Sequence, residues 1–167
     1  MKTAIGLVCA LFLLSPVLMA EEEEDERGER GGKELSLALA PAQVNAKWQQ
    51  ECSSCHIAYP PGLLPAESWR RVMAGLDKHF GTDASLTPAE SKEVGDFLVR
   101  HATNRWSGAA TPLRITETTG FKREHRGDEI PAGAFTRASV KSAANCQACH
   151  SGAAKGDFNE HGVKVPN

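Results

Sequence analysis

Two short stretches carry the same set of ligating side chains: Cys52-Ser53-Ser54-Cys55-His56 and Cys146-Gln147-Ala148-Cys149-His150. Two thiols three positions apart reach the two vinyl groups of one porphyrin. A histidine directly after the second thiol falls beneath the iron and offers its proximal nitrogen. The chemistry this spacing points to is covalent haem attachment, and two copies of the motif imply two haem c groups with their irons. Cys52, Cys55 and His56 would hold one; Cys146, Cys149 and His150 would hold the other. Paired cysteines serve two other chemistries. A zinc site joins C-x-x-C pairs about 15–20 residues apart, whereas the whole of residues 56–145 lies between these two. A redox-active C-x-x-C pair sits on a βαβ pattern, and no such pattern is visible in the sequence.

The remaining cysteine, Cys9, lies in an apolar run from Ala4 to Leu14 that follows Lys2 and ends at Ser15-Pro16. With small Ala20 closing the stretch, residues 1–20 read as a secretory signal cleaved after Ala20. Val8 is too bulky for a lipoprotein cleavage site, so no lipid anchor at Cys9 is expected. The run is also short for a membrane span. The mature protein is therefore expected to be exported, periplasmic in a bacterium, with no stable membrane insertion. Residues 21–30 hold seven acids and two bases, and 21–40 read as an acidic disordered tail. Residues 31–167 are nearly balanced, with 14 acids and 16 bases, so no basic block suits a nucleic acid. The chain of 167 residues is 41% hydrophobic but only 6% aromatic, with 15 Gly and 9 Pro. A core of its own would be small and loop-rich, and two macrocycles would form part of it.

The elements that must position the motifs are mainly α-helical. Val44, Trp48 and Cys52 follow helical spacing from Pro41 toward His56, so the first motif should close a helix. Tyr59 to Pro65 is a loop by its prolines. Ser68 to Phe80 reads as an amphipathic helix, with Trp69, Val72, Met73, Leu76, His79 and Phe80 on one face. Gly81 breaks it. Thr87-Pro88-Ala89-Glu90 then has the form of a capping box with Pro at the first helical position, followed by the stripe Val94, Phe97, Leu98, His101. Residues 103–120 are mostly loop, 121–126 (Phe-Lys-Arg-Glu-His-Arg) are short and basic, and 137–150 are helix-capable.

Residues 40–105 resemble a class I cytochrome c domain: helix, C-x-x-C-H, loop, helix, ligand loop, helix. In that class the second axial ligand precedes the last helix and is usually Met. After residues 1–20 the chain has one Met, Met73, in the middle of a helix. His79 stands in the more suitable place, at a helix end. That departure implies bis-His coordination and a lower potential than a His/Met pair. Only 17 residues follow the second motif, too few for the same layout, so its iron must take a distal ligand from His101, His125 or His161. His125 is preferred: Phe121 and Ile130 would anchor it over a haem, and Lys122, Arg123 and Arg126 would meet propionates. His101 is expected to pack or face solvent, and His161 lies in a polar tail. The exchanged pairing of His79 and His125 with the two irons stays open at the level of sequence.

The whole pattern, from Cys52-to-Pro65 through Ser68-to-Leu86, Arg114-to-Arg126 and Asn145-to-Glu160, resembles the dihaem cytochrome c family of exported bacterial electron carriers. The resemblance implies a helical N-terminal haem domain at 41–105 and a C-terminal haem domain at 106–167 with little regular structure. It also implies two low-potential bis-His haems liganded by His56, His79, His125 and His150. The partners it implies are a membrane b-type cytochrome and a small oxygen-binding cytochrome c. The expected function is electron transfer without substrate turnover. The alternative, a peroxidase-like dihaem enzyme, needs one open iron position and acid–base groups above it; the chain looks too short for it, and no catalytic set stands out.

Overall fold

The computed structural model describes residues 43–167, all within one compact unit. The expected signal (1–20), the acidic tail (21–40) and the helix start at Pro41 lie outside the described residues. Four α-helices are present among them: α1 (Ala46–Cys52), α2 (Ala66–Ala74), α3 (Pro88–Arg100) and α4 (Thr119–Glu124). Short 3-10 turns connect them, and after α4 four more such turns punctuate an otherwise irregular chain. The fold is mainly α, with a helical first half and a loop-rich second half, as the sequence implied.

Helix α3 organises the first half. Thr87 accepts from the Glu90 backbone N–H, and the Glu90 carboxylate accepts from the Thr87 backbone N–H at 3.1 Å, which completes the capping box. The Thr87 hydroxyl, and after it the Lys47 ammonium 3.0 Å away, hold the Glu90 carboxyl down to about 2. Lys47 sits on α1, so the same carboxylate that caps α3 also ties the two helices together. Asn45 caps α1 by accepting from the Trp48 backbone N–H at 2.7 Å and also donates to Glu93 on α3. This cap starts the helix later than the apolar spacing suggested and leaves Val44 exposed before it. Trp48 then packs tilted on Phe97, with centroids 5.1 Å apart. Trp48, Ala58, Leu64, Trp69, Val94, Phe97 and Leu98 form the core. Trp69 enters it fully because its indole N–H donates to the Pro61 carbonyl at 2.7 Å, satisfying the one polar atom it buries.

Two helical expectations need correction. The amphipathic run from Ser68 does not continue to Phe80: α2 ends at Ala74, Gly75 follows, and Leu76–Lys78 is a 3-10 turn. Glycine's helix cost breaks the run. Phe80 leaves the apolar face altogether, with φ +51° and 46% exposure, while Gly81 takes φ +102°. The stretch 137–150 is not a helix either. Lys141 has φ +69°, the Asn145 side chain donates to the Val140 carbonyl, and the Ala144 N–H donates to the Ser142 hydroxyl. Short polar side chains outcompete the helical ladder there, and only Cys146–Ala148 forms a 3-10 turn.

Gly120, near the start of α4, meets the face of Trp106, whose carbonyl accepts the Gly120 N–H at 2.7 Å. An added Cβ would overlap the Trp106 ring. The expected result of Gly120→Ala is a loss of about 1–3 kcal/mol by overpacking, read as a lower melting temperature of the holoprotein. An unchanged melting temperature would mean that Trp106 swings aside at no cost.

Candidate haem-binding sites

Cys52 closes α1, so its thiol leaves the helix on the face that packs toward the core, and the chain turns through Ser53 and Ser54 to Cys55 and His56. The His56 Nδ1 lies 2.7 Å from the Ile57 carbonyl. An N–H there donates to that oxygen and leaves the Nε2 lone pair free for a metal. Opposite stands His79. It caps the 3-10 turn after α2 and starts a tight turn in which the Thr82 N–H donates to the His79 carbonyl at 3.1 Å. The two imidazole centroids are 6.2 Å apart, with ring planes at 31°.

The second half repeats this arrangement with different elements. Thr118 caps α4 by accepting from the Phe121 N–H, and His125 ends it. The His125 Nδ1 lies 2.9 Å from the Phe121 carbonyl, and its ring stacks on Phe121 at 3.9 Å and 12°. Position and tautomer are thereby both set, again with Nε2 free. His150 follows the Cys146–Ala148 turn, its centroid 6.1 Å from that of His125 and its plane at 66°. Phe135 lies 6.1 Å from His125, and Phe158 lies 5.5 Å from His150.

These separations test the fit of an iron. With metal–imidazole bonds of about 2.0–2.1 Å and ring nitrogens about 1.1 Å from their centroids, two imidazoles on opposite sides of one metal have centroids about 6.2–6.4 Å apart. The first pair, at 6.2 Å, falls at the lower end of that range, and the second, at 6.1 Å, lies just below it. Burial lowers the pKa of His79, His125 and His150, with the neighbouring imidazole adding to the shift at His79 and His150. Neutral imidazoles are the form that ligates. Beside the first pair lies a cavity of about 490 Å³ lined by Cys52, Cys55, His56, Met73 and His79 and, from the second half, Cys146. The residues present fit two haems. Burial pushes the Cys52 and Cys146 thiols up to about 11, opposite to the acidified thiolate of a redox-active pair. Among the described residues no three His, Cys, Asp or Glu side chains gather as a metal site that the two motifs could share.

A model of the dihaem cytochrome c family matches residues 48–158. The chain belongs to the dihaem cytochrome c family. It is thus an electron-transfer cytochrome with two covalently attached haem c groups. Its fold is similar to solved dihaem cytochromes c from two bacteria. The one from Rhodobacter sphaeroides is 42% identical, covers 69% of this chain and 97% of its own, and has a TM-score of 0.62. The one from Shewanella baltica OS155 is 41% identical, covers 74% and 94%, and has a TM-score of 0.65. No curated protein matches.

In this cytochrome the remaining histidines stand apart from both pairs. His101 caps the end of α3 and packs on Phe97 at 5.0 Å, beside a separate hollow lined by Asn45, Glu93 and Asp96. His161 is exposed in a turn capped by Asn159. Of the three cations expected at the propionates, Arg123 pairs with Glu124 at 2.7 Å and Arg126 with Asp128 at 3.6 Å. Arg114 was not foreseen. It lines the first cavity and lies 4.1 Å over the Phe80 ring. Phe135, Phe158 and Tyr59 were also missed, since single aromatics in turn-rich sequence carry no periodic signal.

Proposed function

We propose that this cytochrome is a low-potential carrier in which His56 and His79 ligate one iron and His150 and His125 the other. The observation that carries this reading is the pair of imidazole separations, 6.2 and 6.1 Å. The placement favours His79 with His56 and His125 with His150 over the exchanged pairing. When bound, the haems supply one-electron couples, and imidazole in place of a thioether on both faces favours low potentials. The chain's own contribution is to hold each ring before an electron arrives or leaves. Ile57 and Phe121 fix two tautomers, and Phe121 fixes one ring plane. Filled coordination on both irons favours a carrier over the peroxidase-like alternative, which needs an open position.

Export to the periplasm rests on residues 1–20 as a cleaved signal. Among the described residues no helix is long and apolar enough to cross a membrane. The proposed partners, a membrane b-type cytochrome and a small oxygen-binding cytochrome c, rest on the family resemblance. The test of attachment is intact mass together with a pyridine haemochrome assay. The expected protein begins near Glu21, carries two haems through Cys52, Cys55, Cys146 and Cys149, and shows no free thiol after denaturation. One free cysteine pair would overturn the assignment.

A further inference from the structure

Tyr59 is the only tyrosine of the chain, three residues after the first motif in the Pro-rich loop. Its ring stacks on His56, with centroids 4.6 Å apart and planes at 27°. Its hydroxyl donates to the Ala144 carbonyl at 2.6 Å, across 85 positions of sequence. Ala144 stands two residues before Cys146, and its carbonyl also accepts the Cys146 backbone N–H at 3.0 Å. Tyr59, His56, Ala144 and Cys146 all line the same cavity. One side chain therefore touches the proximal imidazole of the first site and the backbone that presents the first thiol of the second.

We propose that Tyr59 is a positioning residue that couples the two haem sites, its ring setting the plane of the His56 imidazole and its hydroxyl setting the segment that presents Cys146. Its ring half rests on the ligand role of His56 given above; its hydroxyl half does not. The neighbouring backbone is built to transmit such a contact. The Ala144 N–H is held by the Ser142 hydroxyl and the Asn145 side chain by the Val140 carbonyl, so a pull on Ala144 moves a braced turn rather than a loose loop. Within the ring stack, the aromatic face of Tyr59 opposes rotation of His56 about its bond to the metal, a freedom that the Ile57 hydrogen bond alone restrains at one edge.

The two halves separate by substitution in the holoprotein. Tyr59→Phe keeps the ring and removes the hydroxyl; Tyr59→Leu removes both. Thr87→Ala, which weakens the α3 cap elsewhere, controls for lost stability. The readouts are the ferric EPR signals, the paramagnetically shifted haem methyl resonances in NMR, and the two midpoint potentials. Tyr59→Phe should leave the first centre's signals as in the parent and move the methyl shifts and potential of the second. Tyr59→Leu should move both centres, and Thr87→Ala neither. An unmoved second centre in Tyr59→Phe overturns the hydroxyl's role, and an unmoved first centre in Tyr59→Leu overturns the ring's. Should Tyr59→Leu fail to mature, Tyr59→Gln, which also removes the ring, takes its place for the ring half, with the same outcomes. A parent spectrum without a bis-His first centre overturns the ligand reading and the ring half, while the second-centre response to Tyr59→Phe still decides the hydroxyl half.

Discussion

Replacing His79 with Ala should turn the first centre high-spin, raise its potential and let it bind CO, while the second centre keeps its parent spectrum. About half of the low-spin signal should disappear, because one of two filled irons loses its distal nitrogen. Among the described residues no neighbouring side chain is placed to replace it. Met73 lines the same cavity and carries the one thioether in reach, but it sits in the last turn of α2 and packs against the core. Bringing its sulfur to the iron would unwind that turn and pull Met73 away from the core it packs against. The turn that holds His79 is also committed elsewhere: the Ala84 N–H donates to the Leu76 carbonyl at 2.8 Å and closes the segment around it. Optical and CO-difference spectra of the variant check the outcome. A low-spin first centre with a sulfur-to-iron charge-transfer band would mean that Met73 had moved in.

The matching variant, His125→Ala, should produce the same change at the second centre alone. His125 is held by its Nδ1 contact to Phe121 and by a stack at 3.9 Å, so its ring is set before any metal binds. Removing it also takes away a ring that contacts both Phe121 and Phe135, so the variant should melt lower than His79→Ala. His101→Ala and His161→Ala serve as the comparison and should leave both spectra as in the parent, since neither ring approaches either pair. A high-spin signal from His101→Ala would instead place the end of α3 at an iron and reduce His125 to a packed histidine.

The contrast between these residues explains what could be read before the structure. The two C-x-x-C-H motifs are local patterns whose chemistry is set by spacing along the chain. The Thr87-to-Glu90 capping box is equally local and forms as written. The stripe of α3 follows a helical period, and Val94, Phe97 and Leu98 are buried accordingly. Residues 137–150 misled because alanine and lysine favour helix, while Ser142 and Asn145 bond the backbone in a turn. Phe80 misled because the helix stops at Ala74 and the residues after it are reoriented. The distal histidines lay between these cases. Their candidacy followed from position, but the pairing of His125 with His150 depends on the packing of Phe121, Phe135 and Phe158, which no sequence period marks. Tyr59 was visible only as part of a loop, since its second partner lies 85 positions away.

The ferric EPR spectrum of the holoprotein reads the axial ligands of both irons at once. In a bis-imidazole haem, nearly parallel ring planes split the two π-type iron orbitals, whereas strongly crossed planes leave them closer in energy and raise the largest g value. The His56–His79 planes meet at 31° and the His125–His150 planes at 66°. Two low-spin signals of equal weight are expected, one rhombic and one with a larger maximum g, and no high-spin iron. A high-spin signal, or a near-infrared band from a sulfur ligand at either iron, would contradict bis-His ligation of both irons.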